Sequence, residues 1–240
     1  MLRLDGVNRM FVQGRIDALL SKKRRLQWLV GLVVRAERVV HFGCSSGDEI
    51  LALMWALEAS EAVGVDKSEQ SIRQAQSVLA NTQDTVNLMQ RRLRCYPREI
   101  PEDDKAWWET VPSFFKQELL QERFHVDFVV QDITKPTELQ SDYFDVAFCD
   151  FVLHHIWFDQ ENKDAREDAQ FAIGEMARVV RPGGAVAAFE LIQYLDEPRL
   201  DFRPLFEQAG LKLVHTKEME TNSLDEHGVT AEYLCEKPIC

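Results

Sequence analysis

Short apolar runs alternate with stretches of helical period along most of this chain, the order expected of a mainly parallel sheet with helices packed against it. In sequence order the strand-like runs are Arg38 to Phe42, Ala62 to Val65, His125 to Gln131, Phe144 to Cys149 and Ala185 to Glu190. Two more, Leu211 to Lys217 and Val229 to Glu236, have no helix between them and are expected to pair as an antiparallel hairpin at one edge. The pattern therefore predicts an α/β chain, with a seven-stranded mainly parallel sheet, helices on both faces and a terminal antiparallel hairpin.

The helical stretches carry their own start and stop signals. From Ser46 to Leu57, apolar Ile50, Leu51, Leu53, Met54 and Leu57 form one buried stripe, while Asp48 and Glu49 favour the positive N-terminus. Ser68 reads as an N-cap for a helix with Ile72, Ala75 and Leu79 inward, continuing with interruptions towards Leu93. Arg181-Pro182-Gly183-Gly184 ends the helix that stops near Val180, because proline cannot continue the hydrogen bonding and the glycines permit a sharp turn. A helical region is expected from about residue 7 to 34, and a helical insertion from about 91 to 124, too long for an ordinary connection. Trp107, Trp108, Phe114 and Phe115 in that insertion either roof a pocket or pack onto the domain.

At 240 residues the chain suits one domain, and such a domain buries roughly 70 to 75% of its unfolded surface, so neither disulfides nor metal are needed for stability. Five scattered cysteines with no C-x-x-C pair and no secretory pattern point to a reducing, cytoplasmic compartment. No apolar run approaches the ~20 residues of a membrane span, and no membrane partner is expected. The net charge of −12 opposes a phosphate backbone, and the basic clusters Lys22-Lys23-Arg24-Arg25 and Arg91-Arg92-Leu93-Arg94 lie in helix-like sequence where a solvated face explains them. No nucleic acid partner is expected.

The chemistry begins at Val39-Val40-His41-Phe42-Gly43-Cys44-Ser45-Ser46-Gly47-Asp48-Glu49, where a strand runs through a small-residue turn into a helix. Asp66 ends the next strand, and an acid there can accept two hydrogen bonds from a ribose diol. A cofactor containing a nucleoside is the reading these two features support.

The ordered set V-V-H-F-G-C-S-S-G, G-V-D-K-S, V-V-Q-D-I, F-D-V-A-F-C-D and R-V-V-R-P-G-G resembles the class I S-adenosylmethionine-dependent methyltransferases, over about Val39 to Lys237. The resemblance implies a Rossmann-like fold and S-adenosyl-L-methionine as cofactor, with S-adenosyl-L-homocysteine as product. Residue by residue, it implies that Gly43, Ser45 and Gly47 lie under the methionine part and that Asp66 holds the ribose hydroxyls, with Lys67 beside the adenine. Asp132 is implied to bond the adenine amino group, and Ile133 to offer its amide to a ring nitrogen and its side chain to the ring. Cys149 and Asp150 match the position that meets the methionine ammonium, and Phe151 the wall of the methyl-transfer site. His41 departs from the family, many members of which carry an acid there; it is placed at the methionine end, bonding through water, with Arg15 as another holder of the cofactor carboxylate.

Methyl transfer is an in-line displacement that needs alignment, exclusion of water and sometimes removal of a proton. His154 and His155 resemble the paired histidines of small-molecule methyltransferases and are the candidate catalytic residues; one orients the acceptor or acts as base, or else they pack under the cofactor and cap a helix. No metal is expected, since no ligand spacing joins Cys149 to these histidines. The leading acceptor is a small molecule. The G-C-S-S-G-D-E turn also resembles the chemotaxis-receptor glutamate methyltransferases, whose C-R-N is here Cys149-Asp150-Phe151. A nicotinamide-dependent dehydrogenase and a non-catalytic binding module are the other classes considered; the glycine spacing departs from G-x-G-x-x-G, and Tyr233 and Lys237 sit in a terminal strand rather than on one helix face.

Overall fold

Successive side chains of the central strands point to opposite faces of the sheet, and both faces are covered by helices. In β1 (Arg38–Phe42), Val39 joins one apolar cluster while Val40 and Phe42 join the other. In β4 (Phe144–Asp150), Val146 and Phe148 join the first, and Ala147 and Cys149 the second. The first cluster contains residues of α1 (Gln27–Leu32) and α2 (Asp48–Leu57). Residues of α4 (Leu153–Trp157), α5 (Ala165–Val179) and α6 (Arg203–Gln208) belong to the second. Each fully buried Leu, Ile or Phe in these layers contributes about 1.5 to 3 kcal/mol, so the two-sided core is what fixes strand register.

This computed structural model describes residues 22–23, 26–33, 36–95, 109, 125–158, 163–194, 199–223 and 226–239, with the backbone alone for 82, 84–95, 194, 221–223 and 226–227. Arg15, most of the expected N-terminal helical region, and the insertion with Trp107, Trp108, Phe114 and Phe115 lie outside the described residues.

With β2 (Glu61–Asp66), β3 (His125–Val130), β5 (Val180–Tyr194), β6 (Lys212–Ser223) and β7 (Glu226–Glu236), the sheet has seven strands in the order β3-β2-β1-β4-β5-β7-β6. The first five pair in parallel and β7 runs antiparallel to both β5 and β6, as the hydrophobic pattern predicts. Three boundaries differ. Arg181 to Gly184 does not precede β5 but bulges within it, since Phe144 pairs with Val180 and Val146 with Ala185. Gly184 is confined there, because an added Cβ would stand 2.7 Å from the Asp145 carbonyl oxygen. The terminal hairpin also runs beyond Lys217 to Ser223, its polar outer end lacking the alternation that marks a half-buried strand. Finally, α3 (Glu69–Cys95) is continuous rather than interrupted.

Chain order places the crevice. From β1 the sheet grows through β2 and β3 in one direction and through β4 and β5 in the other, so the carboxyl ends of β1 and β4 form a topological switch point where ligands bind. At the opposite end of β4, Asp145 accepts the backbone N–H of Glu37 (2.7 Å) and Arg38 (2.8 Å) and the Nε–H of Arg181 (2.6 Å). Three strands are thereby held in register by one carboxylate.

Candidate active site

The turn after β1 is shaped from within. Gly43 has φ 72°, and a Cβ on it would lie 2.3 Å from Val152 Cγ2, so glycine is required by both conformation and space. The N–H groups of Gly43 and Cys44 both donate to the Val65 carbonyl, at 2.7 and 3.0 Å, and that of Gly47 to the Cys44 carbonyl at 2.8 Å. Ser45 N–H donates to Asp66 Oδ2 (3.0 Å), while Asp66 Oδ1 accepts from Ser68 N–H (2.8 Å). Asp66 thus joins the glycine turn to the start of α3. Gly47, at φ 77°, serves packing instead: its Cβ would stand 2.9 Å from Ala75 and from the Phe128 ring.

A cleft of about 900 Å³ opens over these strand ends. Gly43, Ser45, Asp66 and Lys67 line it from β1 and β2, Asp132 and Ile133 from the loop after β3, and Asp150, Phe151 and His155 from the end of β4. Nine residues singled out in the sequence are therefore brought together. Asp132 is locally occupied as well: Oδ1 accepts from the N–H (3.0 Å) and Oγ1 (2.7 Å) of Thr134, and Oδ2 pairs with Lys135 Nζ at 3.0 Å. Burial raises its pKa, but these Thr134 and Lys135 bonds outweigh it and hold the carboxyl below its usual range. The loop itself is anchored at Thr137, whose N–H and Oγ1 donate to Glu175 Oε2 on α5 (3.0 and 2.9 Å).

His41, Gly47, Cys149 and His154 do not line the cleft. His41 is fully buried on the α2 face, its ring 5.2 Å from that of Phe148, so the expected place at the methionine end is corrected: strand alternation turns it into the layer beneath α2. The cleft position is taken by Glu49, in the first turn of α2. Glu49 pairs with Lys22 Nζ at 2.9 Å and hydrogen-bonds Asp150. Burial raises the Glu49 pKa, yet the charge of His41 and the bonds from Asp150 and Lys22 bring it down to about 2.

On the other face of β4, Cys149 is fully buried, and burial followed by the charge of Glu190 pushes its thiol well up, so it is no nucleophile at neutral pH. Cys149 Sγ donates to Glu190 at 3.4 Å, and His154 donates Nδ1–H to the same carboxylate at 2.9 Å. His155 reaches the cleft; burial, then the neighbouring His154, lowers its pKa below the ordinary 6.5. Among the described residues no three of His, Cys, Asp and Glu are grouped to hold a metal ion.

The donor set decides which kind of cofactor fits. Gly43 and Cys44 commit their N–H groups to Val65, Ser45 to Asp66 and Gly47 to Cys44, so these four amides form no nest for a pyrophosphate. Five carboxyl residues line the cleft (Glu49, Asp66, Asp132, Asp150 and Asp168) against two lysines, Lys67 and Lys135. Such a lining repels a dinucleotide and suits a nucleoside that carries positive charge. A family model for the methyltransferase domain matches residues 109–188. That match spans a third of the chain, and the fold is the one S-adenosylmethionine-dependent methyltransferases share.

Over 82 residues this chain is 38% identical to the ribosomal protein L11 methyltransferase of Klebsiella pneumoniae subsp. pneumoniae, a likeness that covers 34% of this chain and 26% of that relative. The matched segment thus spans about a quarter of the relative's length. A SAM-dependent methyltransferase from Methanosarcina mazei superposes with a TM-score of 0.55 at 12% identity, covering 86% of this chain and 94% of that one. The N-methyltransferase NodS from Bradyrhizobium japonicum, in complex with S-adenosyl-L-homocysteine, gives 0.55 at 13% identity over 94% and 99%. These two likenesses concern the fold.

Sequence reasoning about this chain passed over two acids. Glu49 is read locally as a charge at a helix start, although in the first turn it also points back over the glycine loop. Glu190 is read as the end of a strand, although an acid between Phe189 and Leu191 breaks an apolar run and so signals a buried partner.

Proposed function

We propose that this chain transfers a methyl group from S-adenosyl-L-methionine to a small-molecule acceptor, leaving S-adenosyl-L-homocysteine. The observation that carries the reading is one acid-lined cleft at the switch point that joins the Gly43 turn, Asp66 and the Asp132-Ile133 loop. In this reading Asp66 accepts the ribose hydroxyls with its remaining lone pairs, and Lys67 lies beside the adenine. Asp132 and the Ile133 amide bond the adenine edge, and the Ile133 side chain covers the ring. Asp150 and Glu49, with the Cys149 backbone, hold the ammonium, while Phe151 walls off the acceptor. The cofactor supplies a methyl carbon on a positively charged sulfur; the protein's part is to align the acceptor, exclude water and receive a proton at His155. A cytoplasmic location belongs to the same proposal and rests on cysteine usage. Among the described residues, no helix is long and apolar enough to cross a membrane.

Calorimetry with S-adenosyl-L-homocysteine and with NAD tests the cofactor: the first is expected to bind and the second not, and the reverse sinks the proposal. A protein acceptor is the second reading, favoured by the 82-residue likeness to a methyltransferase named for a ribosomal protein. Tritium from methyl-labelled cofactor should pass a 3 kDa filter if the acceptor is small and stay above it if a protein is modified. Binding with no transfer to either fraction would leave a non-catalytic module.

A further inference from the structure

Glu190 stands in β5 where the pattern asks for an apolar residue, and it is fully buried. Its Oε1 accepts the backbone N–H groups of Val152 and Leu153, each at 3.0 Å, and its Oε2 accepts the His154 backbone N–H at 3.2 Å together with Nδ1–H at 2.9 Å. A buried carboxylate adds little to stability over an apolar residue of similar volume, so its presence asks for another reason. What it holds is the wall of the cleft. The His154 ring lies 4.0 Å from the His155 ring and 5.6 Å, edge-on, from the Phe151 ring, and both of those residues face the cleft. Phe151 also keeps φ 56°, a left-handed backbone unusual for an aromatic residue, next to the amides that Glu190 binds.

We propose that Glu190 and His154 are positioning residues that hold His155 as the proton acceptor, and hence that the methyl acceptor is a hydroxyl or amine compound rather than a carboxylate. The inference rests on the methyl-transfer reading above. The acceptor atom's lone pair bonds the methyl carbon, the sulfur–methyl bond breaks with its electron pair returning to sulfur, and the acceptor's proton passes to the cleft-facing ring nitrogen of His155 and then to water. A carboxylate acceptor has no proton to lose and would need no such device. Burial, then His154, and further Lys67, keep His155 neutral near pH 7, with Glu190 pulling the other way. Glu49, Asp66, Asp132, Lys135, Asp150 and Asp168 are the other ionisable groups that line the cleft.

Ring-nitrogen NMR of the cofactor-free protein reads the arrangement without turnover. The wild type should show a protected Nδ1–H on His154, and Glu190→Gln should lose it as the ring changes tautomer; an unchanged signal overturns the positioning role. Should that variant fail to fold, His154→Phe keeps the ring packing, and the His155 midpoint should rise as the lowering influence of His154 disappears; an unmoved midpoint overturns the proposal. For the acceptor, label transferred from methyl-tritiated cofactor into the small-molecule fraction of a cell extract should withstand alkali. Release of labelled methanol identifies a methyl ester, and that outcome, or no transfer at all, overturns the acceptor class. Calorimetry with S-adenosyl-L-homocysteine then separates the two failures: binding retains the methyl-transfer reading without this inference, and no binding removes both.

Discussion

The two faces of the sheet at the end of β4 carry the same chemical parts in opposite order. On the α2 face His41 is buried and the carboxyls of Glu49 and Asp150 reach the cleft. On the α4 face the carboxylate, Glu190, is buried and a histidine, His155, reaches the cleft. An acid held towards the ligand attracts a positive group; a neutral imidazole held towards the ligand can take a proton. The difference teaches that one strand end can serve two ends of a reaction, since alternate residues, Cys149 and Asp150, face opposite layers.

Exchanging the properties of the two faces should break this division. The largest effect is expected from His155→Ala, which removes the proposed proton acceptor and should lower kcat by about 100- to 10,000-fold, the usual worth of general-base catalysis. Stopped-time assays across pH check it, and the neutral ring predicts a wild-type acid limb below 6.5, the ordinary histidine value, because the pKa is lowered. Next comes Asp66→Ala. Losing the bidentate acceptor and its bonds to Ser45 and Ser68 should weaken S-adenosyl-L-homocysteine binding by about 10- to 100-fold in calorimetry, and retained affinity would mean that the tip of β2 plays another part. Glu49→Gln is the counterpart to the histidine substitution: affinity should fall about tenfold. If kcat fell further than affinity, the two faces would not be divided as described.

The sequence made the α2 face partly legible and the α4 face scarcely so, for a physical reason. Gly43, Asp66 and Asp132 lie in turns whose shape depends on neighbours a few residues away or on a strand tip, so local spacing carries them. His41 was misplaced because a motif position says which strand a residue occupies but only burial says which ligand it meets. Glu190 gathers Cys149, Val152, Leu153 and His154 across more than 35 positions, and no window of the chain holds both ends of those bonds. The seven strands, the mainly parallel sheet and the terminal hairpin were legible, because apolar runs such as those of β1 and β4 report a core on both sides; the order of the strands across the sheet was not.

The smallest effect on the site should come from the far end of β4, where Asp145 holds β1 and β5 to the strand that supports both faces. Burial raises its pKa, but the bonds from Arg181 and from the Arg38 and Glu37 amides outweigh it, and the folded value lies below the ordinary 3.8. A carboxyl with a depressed folded pKa stabilises fully above its unfolded value, and that contribution is lost as pH falls through the folded one. Asp145→Ala should therefore cost about 1 to 3 kcal/mol at pH 7, by leaving two amides and a guanidinium without their acceptor. Urea unfolding at pH 7 and again near pH 3 measures it: the gap between wild type and variant should narrow at the lower pH. Ligand affinity at pH 7 should change less than threefold, because the carboxyl ends of β1 and β4 keep their own bonds to Val65 and Phe189. A larger loss would mean that the division between the two faces depends on strand register along the whole of β4.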